Sequence, residues 1–423
     1  MATTMPWGET ITVLMELGFP VNPFTLDDET LGALDGEGYL DGTILGDDVS
    51  PYCQNISIGR GRTDPFATMP AGQATITLFD TNRRFDPTNE DSPYWDPTNN
   101  RSGVQPRRKV TIKSGSTTIF VGTILDIDLS YQHGNNSDLS QTTISVIDDF
   151  SLLGQAATED AQTPVEELSS ARLQYLLDLP EVAWSGSTSI ETGVISLGAY
   201  PIDAGTNALD YASQIAVAEQ GFFFIDREGT LTFTKKTTNT FPAGVVAEFS
   251  DDSGSDIKFS SLSVSYGQEN FYNKVIASRE GGSPQTADDA DSQTEFGIKT
   301  LDLNNLLVDA DSTALSIAEG IRDRYGEPTY RFDALGLIVS AQDSATRLTL
   351  AELDLADIIK IERNYQTGSP AQIVKYQQIE RMNRVITPSN HRLELTLSDA
   401  ALVYELILDD AEFGLMDSTN ALV

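Results

Sequence analysis

One cysteine, Cys53, and two histidines, His133 and His391, stand in a chain of 423 residues. The lone cysteine excludes an internal disulfide framework and a thiolate metal cluster. The two histidines leave Ser–His or Cys–His nucleophilic catalysis little to work with. His133 lies in Gln132-His133-Gly134-Asn135-Asn136 and His391 follows Pro388-Ser389-Asn390, so both read as solvent-facing turn residues. No G-x-S-x-G elbow, H-E-x-x-H helix, Walker A loop or paired C-x-x-C is present. Gly59-Arg60-Gly61-Arg62-Thr63-Asp64 begins like a dinucleotide fingerprint but carries Asp where the last glycine is needed. Long apolar runs are missing too: the most apolar stretch, residues 400–408, is interrupted by Glu405 and falls far short of a bilayer span. Met1 to Gly18 holds neither Lys nor Arg and no long apolar run, which predicts neither a secretory signal nor a transit peptide. Basic residues are scarce overall. Lys and Arg number 27 against 63 acids, a net charge of −36, which excludes a general nucleic-acid binder held by phosphate contacts.

What is present is a folding chain: an apolar fraction of 39% is too high for a disordered acidic tail, and the length predicts roughly two to four domains. Alternating β-branched and apolar residues between Gly, Asn, Asp and Pro clusters predict strands, as in Ala74–Phe79, Val110–Lys113 and Thr142–Val146. Three helices are predicted. The first follows the capping box Thr163-Pro164-Val165-Glu166 and stops before Pro180. The second runs from Asn207 to Gln220 with Gly221 as terminator, and the third from near Ser312 to Gly326. Phe222–Ile225 and Thr230–Phe233 flank Asp226-Arg227-Glu228-Gly229 and predict a β-hairpin. Residues 250–256 and 281–292 read as exposed acidic connections.

An internal echo organises the chain. Val110 to Ile144 and Ile359 to Leu393 span the same number of residues, and each series opens and closes on alternating strands. The fold expected is therefore mainly β with α+β insertions: two tube-like β-barrel or sandwich domains flanking a smaller helix-plus-hairpin domain. The expected divisions are 1–150 and 251–395 for the β domains, 151–250 for the middle domain, and 396–423 for an acidic C-terminal segment.

Charge is unevenly spread, since residues 1–59 and 114–171 contain no Lys or Arg while basic residues concentrate between Arg60 and Lys113. Local pairing with Asp64, Asp80 and Asp86 is one reading, and an interface docking an acidic partner or a second copy is the other. The acidic runs 35–38, 41–42, 47–48 and 288–291 lack EF-hand spacing and read as solvated loops. No catalytic, cofactor-binding or metal-binding residue is assigned, and no cofactor is expected.

Ile58–Asp64, Ala71–Leu78, Asn82-Arg83-Arg84-Phe85-Asp86-Pro87 and Val104-Gln105-Pro106-Arg107-Arg108 together resemble minor tail or baseplate hub proteins of long-tailed (siphovirus-type) bacteriophages, the tail-tip hub family. Asn207–Phe233, Asn273-Lys274-Val275, Ala318–Tyr325 and Pro328–Arg331 extend the resemblance nearly end to end. It implies a non-enzymatic virion protein at the tail tip: a homotrimeric ring with two tube-like domains per chain, meeting the tail tube or a distal tail protein, the tape measure protein and other tail-tip proteins. DNA would pass through its channel without sequence-specific binding, and a carboxylate-walled bore would repel phosphates. On this reading Arg83, Arg84, Arg107 and Arg108 are the candidate subunit-interface residues. Two other classes are carried beside it. One is a peripheral receptor- or carbohydrate-binding tail protein using Tyr94-Trp95 as an aromatic platform, and the other is a virion-associated cell-wall hydrolase.

Overall fold

The computed structural model describes residues 3–19, 46–131, 140–235, 239–241, 244–252, 254, 257–267, 269–400, 402–405 and 420–421, with backbone alone at 239–241, 402–405 and 420–421. His133 and the acidic runs 35–38 and 41–42 lie outside the described residues. The fold is mainly β, built on one long sheet with helical insertions.

The N-terminal unit contributes β1 (Thr10–Met15), β2 (Cys53–Gly61), β3 (Gln73–Asp80), β4 (Lys109–Ser114), β5 (Thr117–Tyr131) and β6 (Ser140–Ile147). Their burial alternates residue by residue, as period-2 patterning requires when one face is covered. Three helices follow, α1 (Phe150–Gln155), α2 (Ser169–Leu177) and α3 (Ala208–Glu219), then the hairpin β7 (Phe223–Ile225) and β8 (Leu231–Phe233). Strands β9 (Val245–Ser250) and β10 (Ser261–Tyr266) return to the long sheet. A side layer of β11 (Lys274–Arg279), β12 (Gln285–Asp288), α4 (Ala290–Phe296), β13 (Thr300–Leu306) and α5 (Asp311–Tyr325) precedes β14 (Tyr330–Ile338). Helix α6 (Ser344–Glu352) and β15 (Ile358–Asn364), β16 (Gln372–Thr387) and β17 (Asn390–Asp399) complete the array.

The main path of the sheet runs β1-β4-β5-β6-β3-β2-β16-β17-β14-β10, and β15 with β9 branches from the first half of β16. The two halves repeat one order: β1-β4-β5-β6-β3-β2 in the N-terminal unit, β9-β15-β16-β17-β14-β10 in the C-terminal unit. Each centres on an unusually long strand, β5 or β16, whose ladder slips by one residue where it passes from one neighbour to the other. The halves differ at the outer edge, where β1 is antiparallel to β4 but β9 is parallel to β15. The equal spacing seen in the sequence lands two residues short. Val110 and Ile359 both lie opposite the same relative position of the long strand, but the partner of Ile144 in the repeat is Leu395, because the connections between strands differ in length.

Helix α3 begins at an Asn207 cap whose side chain accepts from Leu209 N and Asp210 N, and the hairpin turn closes with Gly229 at φ +88°. Helix α5 spans the third predicted segment. Helix α2 does not start at the Thr163 capping box. Arg172, fully buried, binds Glu167 Oε1 at 2.6 Å and Val165 O at 2.6 Å, and Glu167–Leu168 pairs with Ser196–Leu197, which draws 163–168 out of the helix. Residues 281–292 are not a loop throughout: they supply β12 and the start of α4, capped by Asp289 onto Ser292 N. His391 is not in a solvent-facing turn either; it is buried in β17. Two apolar cores result, one inside the N-terminal unit and a larger one shared by the hairpin, helices and C-terminal unit.

The units meet where β2 pairs antiparallel with the second half of β16, from Ile56 opposite Ile386 to Gly61 opposite Arg381. Gly61 holds φ +94°, and a Cβ there would collide with the Glu380 carbonyl oxygen. Gly61→Ala is expected to cost more than about 2 kcal/mol, against about 1 kcal/mol for Gly115→Ala, which has positive φ but open space. Chemical denaturation of both variants checks this; equal losses would show that the close approach at Gly61 carries no weight.

Candidate assembly interface

The junction is organised by three arginines, Arg60 in β2, Arg62 just beyond it and Arg384 in β16. Arg60 points into the covered face, where it pairs with Asp354 at 2.8 Å and donates to Ile225 O of the hairpin at 2.7 Å. Arg62, just beyond the strand, binds Glu380 Oε2 at 2.7 Å and lies 4.7 Å from the Phe222 ring centre. Glu380 also accepts from Ser398 Oγ at 2.7 Å. Arg384 of β16 is buried and donates to Leu350 O of α6; burial lowers its pKa to about 10, with the Arg60 charge adding to the fall. These contacts tie both units, the hairpin and α6 to one strand pair.

A second tie joins the N-terminal segment to β17. Glu9 accepts from Ser114 Oγ at 2.6 Å, Trp7 Nε1 at 2.8 Å and His391 Nδ1 at 3.0 Å. Burial pushes the Glu9 pKa up, but the hydrogen bond from His391 leads a set of donors that brings it down to about 2. Burial, with Arg384 and Arg347 nearby, lowers His391 against the opposing pull of Glu9. A neutral imidazole donating to a buried carboxylate follows.

The four candidate arginines fall at two ends of one strand segment. Arg107 N donates to Ile124 O and Ile124 N to Arg108 O, which ends the pairing along this side of β5. Arg107 is exposed, and Arg108 stacks over Phe19 at 5.7 Å. At the other end Tyr131 Oη donates to Asp86 Oδ2 at 2.7 Å, and Arg83 Nε donates to the same oxygen at 2.9 Å. Although burial raises Asp86, hydrogen bonds from Thr88, Tyr131 and Arg83 lower it to about 2. Arg84 packs over the Tyr52 ring at 4.7 Å. Arg83 and Arg84 are thus engaged within the unit, while Arg107 faces outward. Between Arg107 and Tyr131, residues 125–131 of β5 have β6 on one side and, among the described residues, no strand on the other.

The uncovered face of the sheet is rich in hydroxyls and small residues, such as Ser57, Thr75, Thr77, Thr143, Ser145 and Ser263. Its charges along the central strand positions are Asp126, Asp128 and Glu394 against Arg381 and Arg392, so this face is not the carboxylate wall the net charge suggested. Carboxylates gather instead around a cavity of about 380 Å³ beside the junction, where burial raises Asp357 to about 6. Asp226, Asp354 and Asp357 there accept from the backbone N–H groups of Thr230, Arg227 and Asp354, respectively, a turn-fixing role. Among the described residues no three His, Cys, Asp or Glu side chains are grouped to hold a metal, and no helix is long and apolar enough to cross a membrane. Tyr94 is buried, stacked 5.9 Å from Phe85, which removes it as an exposed platform.

This fold is shared with phage tail proteins. It matches the 43 kDa tail protein of prophage MuSo2 from Shewanella oneidensis at 11% identity and TM-score 0.54, covering 92% of this chain and 98% of that one. It also matches the tail protein from Neisseria meningitidis MC58 at 11% identity and TM-score 0.57, covering 92% and 96%. No protein-family model and no curated protein sequence matches the chain.

The Glu9–His391 contact has a pH signature. Glu9 titrates near 2 when folded against 4.5 unfolded, and His391 below 6.5, so the folded state binds fewer protons and this contact loses stability as pH falls. Asp148, buried under Gly72 and raised to about 7, acts in the opposite sense, so the difference between variants is the readout. Glu9→Gln is expected to cost about 2 kcal/mol at pH 7 and less at pH 4. Urea unfolding at both pH values checks it; an equal cost at both would exclude Glu9 as the titrating group.

Proposed function

We propose that the chain is a structural, non-enzymatic hub of a phage tail tip, forming a three-copy ring that joins the tail tube to more distal proteins and leaves a channel for DNA. The observation that carries this reading is the repeat itself: two six-strand units of one order, joined edge to edge in a single sheet. Such a chain offers two quasi-equivalent faces, so three copies make a pseudo-sixfold surface on which a sixfold tube can seat. The fold shared with two tail proteins supports the same placement. Within this reading, residues 1–150 and 251–395 are the two ring-forming domains, 151–250 the insertion between them and 396–423 a peripheral segment.

The uncovered face would line the channel. Its hydroxyls and nearly balanced charges offer phosphates little to hold, so passage rests on the absence of a basic surface more than on repulsion. The partners are further copies, the tail tube or a distal tail protein, the tape measure protein and other tail-tip proteins. Arg83, Arg84, Arg107 and Arg108 flank the surface where copies meet, with Arg107 placed to reach a carboxylate across it.

Reconstruction of the intact particle is expected to place three copies around the tail axis, and sedimentation of the purified chain to give three times its mass. A single copy off the axis would overturn the reading. Arg107→Ala with Arg108→Ala is expected to weaken association about tenfold at low salt and less at high salt. Unchanged association across salt concentrations would remove these arginines from the interface. The purified chain should release neither saccharide nor peptide from host envelope.

A further inference from the structure

The contacts that fix the junction leave a space beside it. Between α3, α5, the hairpin and the connection from β2 to β3 lies a cavity of about 210 Å³. Helix α3 lines it with Ser213, Ala216 and Val217 and α5 with Ile321, Arg324 and Tyr325, each set recurring at the three- and four-residue spacing of one helix face. The connection is folded by Asp64, whose side chain accepts from Phe66 N at 2.8 Å, and it brings Phe66 and Met69 to the cavity. Residues Gln378 and Glu380 of β16 supply the polar part of the lining.

The walls are apolar and incompletely covered. Phe66, Val217 and Tyr325 pack on the larger core yet remain only partly buried. Four aromatic rings, Phe66, Phe222, Phe223 and Tyr325, line the space, and Phe66 meets Tyr325 edge-on at 5.0 Å. Gly320 also lines it, an exposed glycine in the interior of α5, where a residue that weakens helices keeps the entrance open. An apolar protein cavity of about 150 Å³ takes benzene, so this one takes a ring with one or two further carbons.

The polar groups around those walls are donors short of acceptors. Arg62 gives Nε to Glu380 at 2.7 Å and Nη1 to Ala67 O at 3.2 Å, which leaves its Nη2 without a partner among the described residues. Both oxygens of Glu380 are taken, one by Arg62 and the other by Ser398 Oγ. Arg324 enters no ion pair among the described residues and lies over the Tyr325 ring at 5.2 Å. The Tyr325 hydroxyl makes no hydrogen bond there either. Burial raises the Tyr325 pKa, with Glu380 and Asp399 adding to the rise and Arg324 and Arg62 opposing it, so the phenol stays a neutral donor within the field of both guanidiniums. Asp399 is itself engaged by Lys375 and Gln377. Two arginines against one occupied carboxylate leave an excess positive charge at the edge of an aromatic cavity.

We propose that this cavity is a binding site for a small aryl carboxylate, its ring held among Phe66, Phe222 and Tyr325 and its carboxylate at Arg62 and Arg324. A few convergent polar groups on a mainly apolar concavity are what orient such a ligand, and arginine forks suit a carboxylate better than any neutral head. The bound molecule would touch the end of β2, the inserted helix and hairpin, and α5 and β16 of the C-terminal unit together. Occupancy therefore braces the junction, and folding and binding are linked. The site goes beyond the ring reading and stands without it.

The test titrates the full chain with phenylacetate, with its neutral amide and with the cation phenethylamine, followed by ligand-observed NMR and by the thermal unfolding midpoint. Phenylacetate is expected to saturate with a dissociation constant at or below about 1 mM, within reach of about ten non-hydrogen atoms. The amide and the amine are expected to bind at least about tenfold more weakly, and only phenylacetate to raise the midpoint at about 5 mM. Arg324→Gln, at an exposed position, should weaken phenylacetate about tenfold and leave the amide unchanged. Gly320→Leu, which favours the helix while filling the entrance, should weaken acid and amide alike by at least about tenfold, with the circular dichroism spectrum unchanged. No saturation by about 10 mM, or equal binding of acid, amide and amine, would overturn the site. Phenylacetate binding that survives both substitutions would place the ligand elsewhere and overturn it as well.

Discussion

A strand edge carries backbone donors and acceptors that must be satisfied, and in this molecule that requirement decides how the two halves are held. Residues 381–386 of β16 could not sit at the heart of a long sheet without a partner on each side, and β2 supplies the second. The pairing brings Ile56, Ile58, Met382 and Ile386 out of water, each worth about 1.5–3 kcal/mol against full exposure. It also fixes Gly61 against the Glu380 carbonyl, so the strand pair admits one register.

Everything attached to that pair inherits its position. Arg60 reaches from β2 to Asp354 and to the hairpin carbonyl of Ile225, and Arg384 reaches from β16 to the end of α6. A buried arginine is costly unless its donors are taken up, so these contacts specify which insertion packs where as much as they stabilise it. Arg62 and Glu380 close the far side over Phe222. The inserted helices and hairpin share a core with the C-terminal unit, which leaves the uncovered face of the sheet open.

Period-2 patterning alone made β3, β4 and β6 legible, and the Asn207 cap with its apolar stripe made α3 legible, because the determinants are local in both cases. The failures have non-local causes. The Thr163 capping box was overruled by Arg172, whose partners Glu167 and Val165 are pinned by tertiary contacts. His391 reads as a turn residue until Glu9, nearly the whole chain away in sequence, is brought beside it. Helices α1 and α4 are too short to show periodicity. Of the arginine segment, local pairing of Arg83 with Asp86 and long-range use of Arg60 and Arg62 are both realised, so one compositional signal covered two physical roles. The four arginines named from charge contrast lie at opposite ends of residues 125–131 of β5, Arg107 and Arg108 at one and Arg83 and Arg84 at the other, and nothing in their spacing indicated which strand they flank.

A net charge of −36 bears on how copies of this chain can meet at all. At physiological ionic strength repulsion between exposed charges fades beyond about 8 Å, so what matters is the charge within that distance of the contact. Strand β10 itself carries none, with Arg331 of β14 donating to its Ser265 Oγ at 3.1 Å and pairing with Asp333, and residues 125–131 of β5 carry Asp126 and Asp128 on the uncovered side. Arg107 and Arg108 stand at one end of that segment, and Arg83, bound to the Asp86 that Tyr131 also reaches, at the other. Main-chain hydrogen bonds are indifferent to net charge. On the proposed ring, copies of an acidic chain would meet with least repulsion through uncharged strand edges, with most carboxylates carried elsewhere on the surface.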